Sequence, residues 1–180
     1  MPPALVDSPD FSLKHRVIRP TVESDKETPC VVLLHGIGSD ENDLLDLGSR
    51  FGPEFLVISV RAPVEVAPGA YAWFKVRFTP AGPVFDEKEA FDSMRLVSNF
   101  LREIKTAYGI GKTVVAGFSQ GGIMSACLAL TKPEAVTGFA VLSGRIPSEI
   151  APMTASDERL SQTKAFVSHG IRDEKLPLFH

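Results

Sequence analysis

Two kinds of apolar run alternate along the chain. Cys30 to Leu34 and Phe55 to Val60 are short, almost wholly apolar and rich in β-branched residues, which is the pattern of strands buried on both faces. Glu87 to Tyr108 instead carries Phe91, Met94, Val97, Leu101 and Ile104 on one stripe at helical steps, and Gly109 supplies a stop. Asp43 to Phe51 has the same spacing in Leu44, Leu47 and Phe51. Phe11 to Arg19 alternates loosely and reads as an edge strand or hairpin; Pro20 to Pro29 is polar and reads as a turn. Arg61 to Gly82, dense in Pro, Gly and aromatics, reads as one long loop. Beyond it the pattern predicts a strand over 113–117, a helix over 121–131, a break at Pro133, and strands over 138–143 and 165–168. Strands alternating with helices imply an α/β fold, with a mostly parallel sheet and helices on both faces.

Composition narrows this further. The 180 residues show no compositional break, so one domain is expected over 1–180, and 44% hydrophobic content suffices for a real core. Net charge is −3 with the signs interspersed, which argues against a nucleic-acid or polybasic membrane surface. No apolar run is long enough to span a bilayer, and Met1 to Asp7 lacks the features of a secretory signal, so a cytoplasmic location is expected without stable membrane insertion. Cys30 and Cys127 are far apart and read as buried hydrophobes in a reducing compartment. A homodimer is compatible with all of this.

The chemistry concentrates at Gly117-Phe118-Ser119-Gln120-Gly121, directly after the apolar run Thr113–Ala116 and before a helical stretch. Strand, sharp turn and helix make a G-x-S-x-G a nucleophile elbow, with the serine hydroxyl exposed above the sheet edge. A serine needs a general base held by a carboxylate, and backbone N–H donors for the oxyanion. In the α/β-hydrolase arrangement one donor follows the nucleophile, here Gln120. The other lies in a loop after an earlier strand; His35-Gly36-Ile37-Gly38 offers it, through the N–H of Ile37. The acid should follow a later strand, and Asp173 stands just beyond 165–168, on the sheet edge expected to carry Ser119. Glu174 is its rival; Asp157 and Glu158 have no strand before them.

Several further pieces run in one order over most of the chain. They are Leu34 to Leu44, Arg61-Ala62-Pro63, Trp73-Phe74, the elbow through Gly122, Leu142-Ser143-Gly144, and His169-Gly170 with Asp173 and Pro177. In this the sequence resembles the phospholipase/carboxylesterase family of α/β-hydrolases, which includes the acyl-protein thioesterases. The resemblance implies Ser119 as nucleophile, Asp173 as acid, Ile37 and Gln120 as oxyanion donors, and a small-molecule ester or acyl-thioester as substrate. It implies no metal, no other cofactor and no lid domain. Lys75 departs from it, since relatives often carry an acid after the aromatic pair. Trp73, Phe74 and Phe78 read equally as loop-to-core packing or as an apolar wall for an acyl chain.

The histidine base is the piece out of place. The triad order is Ser, acid, His, and His180 alone follows Asp173. It reads as a surface residue in the first turn of a helix, Lys175 to His180, that has no stop signal. His35 reads as packing near the oxyanion loop, His15 as remote, and the resemblance matches His169 to a structural histidine. The chain is therefore expected to be an incomplete copy of a longer hydrolase, lacking a C-terminal strand, a helix and the loop of the base. The expected function is hydrolysis of esters or thioesters through an acyl-enzyme on Ser119. The alternatives are a non-catalytic acyl- or protein-binding module and another acyl transfer on the same scaffold.

Overall fold

The computed structural model describes residues 2–22, 27–79, 82–173 and Leu176. The chain runs through β1 (Leu5–Val6), β2 (His15–Ile18), β3 (Thr28–Leu34), α1 (Leu45–Gly48), β4 (Leu56–Val60), β5 (Val64–Ala67), β6 (Ala70–Ala72), β7 (Val76–Thr79) and β8 (Gly82–Phe85). It continues through α2 (Glu87–Tyr108), β9 (Ile110–Phe118), α3 (Gln120–Thr131), β10 (Gly138–Leu142), α4 (Asp157–Leu160) and β11 (Lys164–Ser168). Seven strands form one sheet in the order β1-β2-β4-β3-β9-β10-β11. From β4 to β11 all pairs are parallel, and β1 and β2 add an antiparallel flank.

The apolar runs form the centre of this sheet. Val32, Leu34, Ile58 and Val60 face one side, where Phe100, Ile104 and Leu128 from α2 and α3 complete the larger core. Val31, Leu33 and Val57 face the other, under the short α1. Chain order reverses between β3 and β9, where open sheets of this kind bind ligands outside the carboxyl ends of their strands. α2 matches its predicted span because both ends are chemically marked. The Asp86 carboxylate accepts the N–H of Lys88 at 2.8 Å, and Gly109 adopts φ 63°, which a side chain would strain.

Two expectations need correction. The long loop of 61–82 contains the hairpin β5–β6 and the whole of β7, which pairs with β8. The alternation of Val64, Glu65 and Val66 and the turn glycine Gly69, at φ 73°, were the strand signals there. The helix predicted over 43–51 shrinks to the single turn of α1. Gly48 is a poor helix former, and a Cβ there would already stand 3.0 Å from Val57 Cγ1. Of the two readings of 11–19, the hairpin holds: β2 pairs antiparallel with β1 and lies between it and β4. Among the described strands β1 and β11 are the ends of the sheet, and all residues of β11 are exposed, with Phe166 at 60% and Val167 at 58%. Among the described residues no helix is long and apolar enough to cross a membrane.

Candidate active site

Ser119 sits between β9 and α3 with φ 52° and ψ −114°, a backbone conformation that costs a non-glycine residue free energy. Close packing imposes it. A Cβ on Gly117 would lie 2.0 Å from the Gly121 carbonyl oxygen, and one on Gly121 would lie 2.0 Å from that of Leu34. The strand and helix therefore approach so tightly that only glycine fits on either side of the serine. The Ser119 N–H donates to Leu142 O at 2.8 Å, and Ser143 N–H to Ser168 O at 2.8 Å, so the ladder continues just past the strand ends.

Gln120 opens α3, and the first N–H groups of a helix have no partner within it. Its N–H is thus available to an anion, in the positive field of the helix start. Its side chain is buried and does a second job. It accepts from Trp73 N–H at 2.9 Å and donates to Phe74 O at 2.7 Å. Ile37 lies on the neighbouring loop, beyond β3, and lines the same cavity as Ser119 and Gln120. A Cβ on Gly36, the residue before it, would come within 3.5 Å of Ser119 Cβ. The loop therefore passes directly over Ser119.

Asp173 follows β11, two strands from β9 on the same edge. Strand spacing puts that separation at roughly 10 Å. The loop is closed locally: Asp173 Oδ1 accepts Leu176 N–H at 2.9 Å and Asp173 N–H donates to Gly170 O at 3.0 Å. His169 Nε2 lies 3.4 Å from Asp173 Oδ2 and 2.5 Å from Leu176 O. A carbonyl only accepts, so Nε2 carries the proton. His35 Nε2 accepts from Ala62 N–H at 3.0 Å, and its Nδ1–H donates to Gly36 O at 2.7 Å. Burial lowers the pKa of His35 and favours this neutral form. His15 is remote, as expected, buried against Phe11, Phe100 and Tyr108. Glu174, Lys175, Pro177 and His180, with the helix expected there, lie outside the described residues.

A cavity of about 500 Å³ opens beside Ser119. Its walls come from α2 (Ala90, Phe91, Met94), from α3 (Ile123, Met124, Cys127) and from Phe74, Phe85, Ile150 and Leu176. Glu87 and the ion pair of Arg145 with Glu149, at 3.2 Å, are its charged members. Trp73 is not on this wall. Its ring is fully buried, and Nε1 donates to His35 O at 2.9 Å, so of the aromatic pair only Phe74 reaches the cavity. Lys75 is also off the wall and donates its N–H to Glu89 at 2.7 Å. The side chain of Phe78 lies outside the described residues. Most of the lining was missed from sequence because a helix stripe reads as core; Phe91 and Met94 belong to such a stripe. Burial raises both cysteine thiols to about 12, so Cys127 is an apolar wall group here. Among the described residues no three His, Cys, Asp or Glu side chains converge to hold a metal ion.

A positive-φ serine between parallel strand and helix, at the switch point of such a sheet, defines an α/β-hydrolase fold. The family described as phospholipase/carboxylesterase matches residues 15–180, and the chain belongs to that family. The chain is 25% identical over 174 residues to acyl-protein thioesterase 1 of Cryptococcus neoformans, covering 90% of this chain and 72% of that one. Carboxylesterase SOBER1 of Arabidopsis thaliana is 30% identical over 122 residues, 65% of this chain and 53% of its own length. The solved carboxylesterase of Bacillus cereus superposes with a TM-score of 0.76 at 26% identity, over 92% of this chain and 74% of that one.

Proposed function

We propose that this protein is a serine hydrolase that cleaves carboxylic esters or thioesters through an acyl-enzyme on Ser119. The observation that carries this reading is the strained elbow serine, which shares the wall of one largely apolar cavity with Ile37 and Gln120. In this reading Ser119 Oγ attacks the acyl carbonyl carbon, and the N–H groups of Ile37 and Gln120 receive the developing oxyanion. A histidine held by Asp173 takes the serine proton and passes it to the departing oxygen or sulfur. Water then cleaves the acyl-enzyme by the same route reversed. The acyl chain occupies the cavity along α3. Cys127 stands eight residues beyond Ser119, about 12 Å along the helix axis. Family membership and the names of the relatives support the class of reaction.

Hydrolysis of p-nitrophenyl esters tests it, together with covalent labelling by a fluorophosphonate. In a full-length version that carries the base, Ser119→Ala is expected to abolish the label and to lower turnover by roughly 10⁶, and Asp173→Asn to lower it by about 10⁴. A Ser119→Ala protein that still turns over ester removes the nucleophile. A second reading, an acyl-binding module without turnover, is favoured by the placing of the histidines. Among the described residues no histidine lines the cavity, and His35 and His169 are tied to backbone groups. Saturable binding of a fluorescent fatty acyl probe, with no hydrolysis and no fluorophosphonate label, would select that reading.

A further inference from the structure

The loop over Ser119 is anchored by a charge that nothing in the reaction uses. Glu41, four residues after Ile37, is completely buried. It accepts two bonds from Arg61, Nε to Oε2 at 2.6 Å and Nη2 to Oε1 at 2.8 Å, and a third from Arg16 Nε at 3.2 Å. Burying a carboxylate carries a desolvation penalty that its guanidinium partner largely offsets, so such a pair is a poor source of net stability and a good source of fixed geometry. Burial raises the Glu41 pKa, but the Arg61 hydrogen bond and charge outweigh it and hold the carboxyl below its ordinary range. The pair is therefore ionised at neutral pH.

What it fixes can be traced bond by bond. Arg61 lies over the Tyr71 ring, 4.6 Å from its centre. Tyr71 O accepts Gly38 N–H and Tyr71 N–H donates to Ser39 O, both at 2.8 Å. Glu41, Arg61, Tyr71 and the backbone of 38–39 thus close a ring immediately behind Ile37. In front of Ile37, the N–H of Ala62, the residue after Arg61, holds the His35 ring, and that ring holds Gly36 O. The segment 61–62 thus grips both flanks of Ile37.

We propose that the Glu41–Arg61–Tyr71 circuit is the positioning element of the oxyanion loop, aiming the Ile37 N–H at the charge that develops on the substrate. This rests on the serine-hydrolase reading above. A group that acts this way affects the tetrahedral state and leaves ground-state binding alone. Lys is no substitute for Arg61, because a point charge cannot make the two-pronged contact or stack in the same way.

The test uses the full chain and two probes of equal length. One is an alkylboronic acid, which forms a tetrahedral adduct with a serine; the other is the matching alkyl methyl amide, which fills the cavity without forming one. Arg61→Met, Arg61→Lys and Glu41→Gln are expected to weaken boronate affinity about 10- to 100-fold, with amide affinity within about 2-fold. Tyr71→Leu leaves no buried charge unpaired and reports if the others do not fold; about 3-fold is expected for the boronate. Equal weakening of both probes, or full boronate affinity in Arg61→Met, overturns the proposal. Boronate binding that is absent in the wild type, or unchanged in Ser119→Ala, would instead defeat the serine reading. The circuit is then judged by amide exchange at Gly38 and Ser39, whose N–H groups are bonded in the loop. Exchange at least tenfold faster in the variants supports it, and unchanged exchange removes it.

Discussion

Ser119 and Asp173 leave the same edge of one sheet, two strands apart, from very different surroundings. Around Ser119 the neighbouring strand is buried from Cys30 to Leu34, a Cβ on either Gly117 or Gly121 would meet backbone oxygen at 2.0 Å, and the ion pair of Arg61 with the buried Glu41 lies behind the adjoining loop. Around Asp173 the preceding strand is exposed along its length although it pairs with β10, and Ile171 is 85% exposed. The Ser119 half is enclosed in the centre of the sheet, whereas the Asp173 half rides on an exposed strand at its rim. An exposed rim strand opens at lower free energy than a buried central one, so the two halves should differ in stability before they differ in chemistry.

Matched glycine substitutions give the largest expected contrast. Gly121→Ala drives a methyl group into Leu34 O and should cost at least about 4 kcal/mol in urea unfolding, or prevent folding. Among the described residues, Gly170→Ala on the Asp173 half meets nothing nearer than Asp173 Cβ at 4.0 Å and should stay within about 0.5 kcal/mol. Comparable losses at the two positions would erase the distinction.

Amide exchange followed by mass spectrometry should show the same division without mutation. Peptides from β3 and β9 should exchange on the order of 10³-fold more slowly than those from β11. Uniform protection would mean that the two halves open as one unit.

Acid sensitivity should also belong to the buried side. Burial lowers the pKa of both His15 and His35, opposed by their backbone hydrogen bonds. Below about pH 6.5 the unfolded chain binds protons that the native state refuses, so stability is full above that pH and declines as pH falls towards the native values. The slope is at most about 1.4 kcal/mol per pH unit for each histidine. Chemical denaturation at pH 7.5, 6.5 and 5.5 measures it, and His15→Phe should flatten it. An unchanged slope in that variant would place the proton uptake elsewhere. The smallest effect is expected at the exposed edge: Phe166→Lys should leave the unfolding midpoint within about 0.5 kcal/mol and reduce self-association by light scattering.

How far each half could be read from sequence follows the same line. Gly117, Ser119 and Gly121 were legible because a steric rule ties those residue types to one local turn, and the bounds of α2 because Asp86 and Gly109 mark them chemically. The hairpin β5–β6 and the strand β7 inside 61–82 were hidden by turn residues crowded around strands of three or four residues. Such strands carry too few alternating positions to stand out. The circuit of Glu41, Arg61 and Tyr71 could not be read at all, since Glu41 looks like a solvated acid until two arginines from separate segments close on it.

The strands, the long helix, the strained serine and the order of the pieces therefore belong to the chain's own local code. Each depends on side-chain periodicity or on backbone sterics within a few residues. The cavity, the absence of Trp73 from its wall and the grip on Ile37 belong to the assembled sheet. A void is what remains between elements after they pack, and a buried charge is stable only where partners distant in sequence meet it.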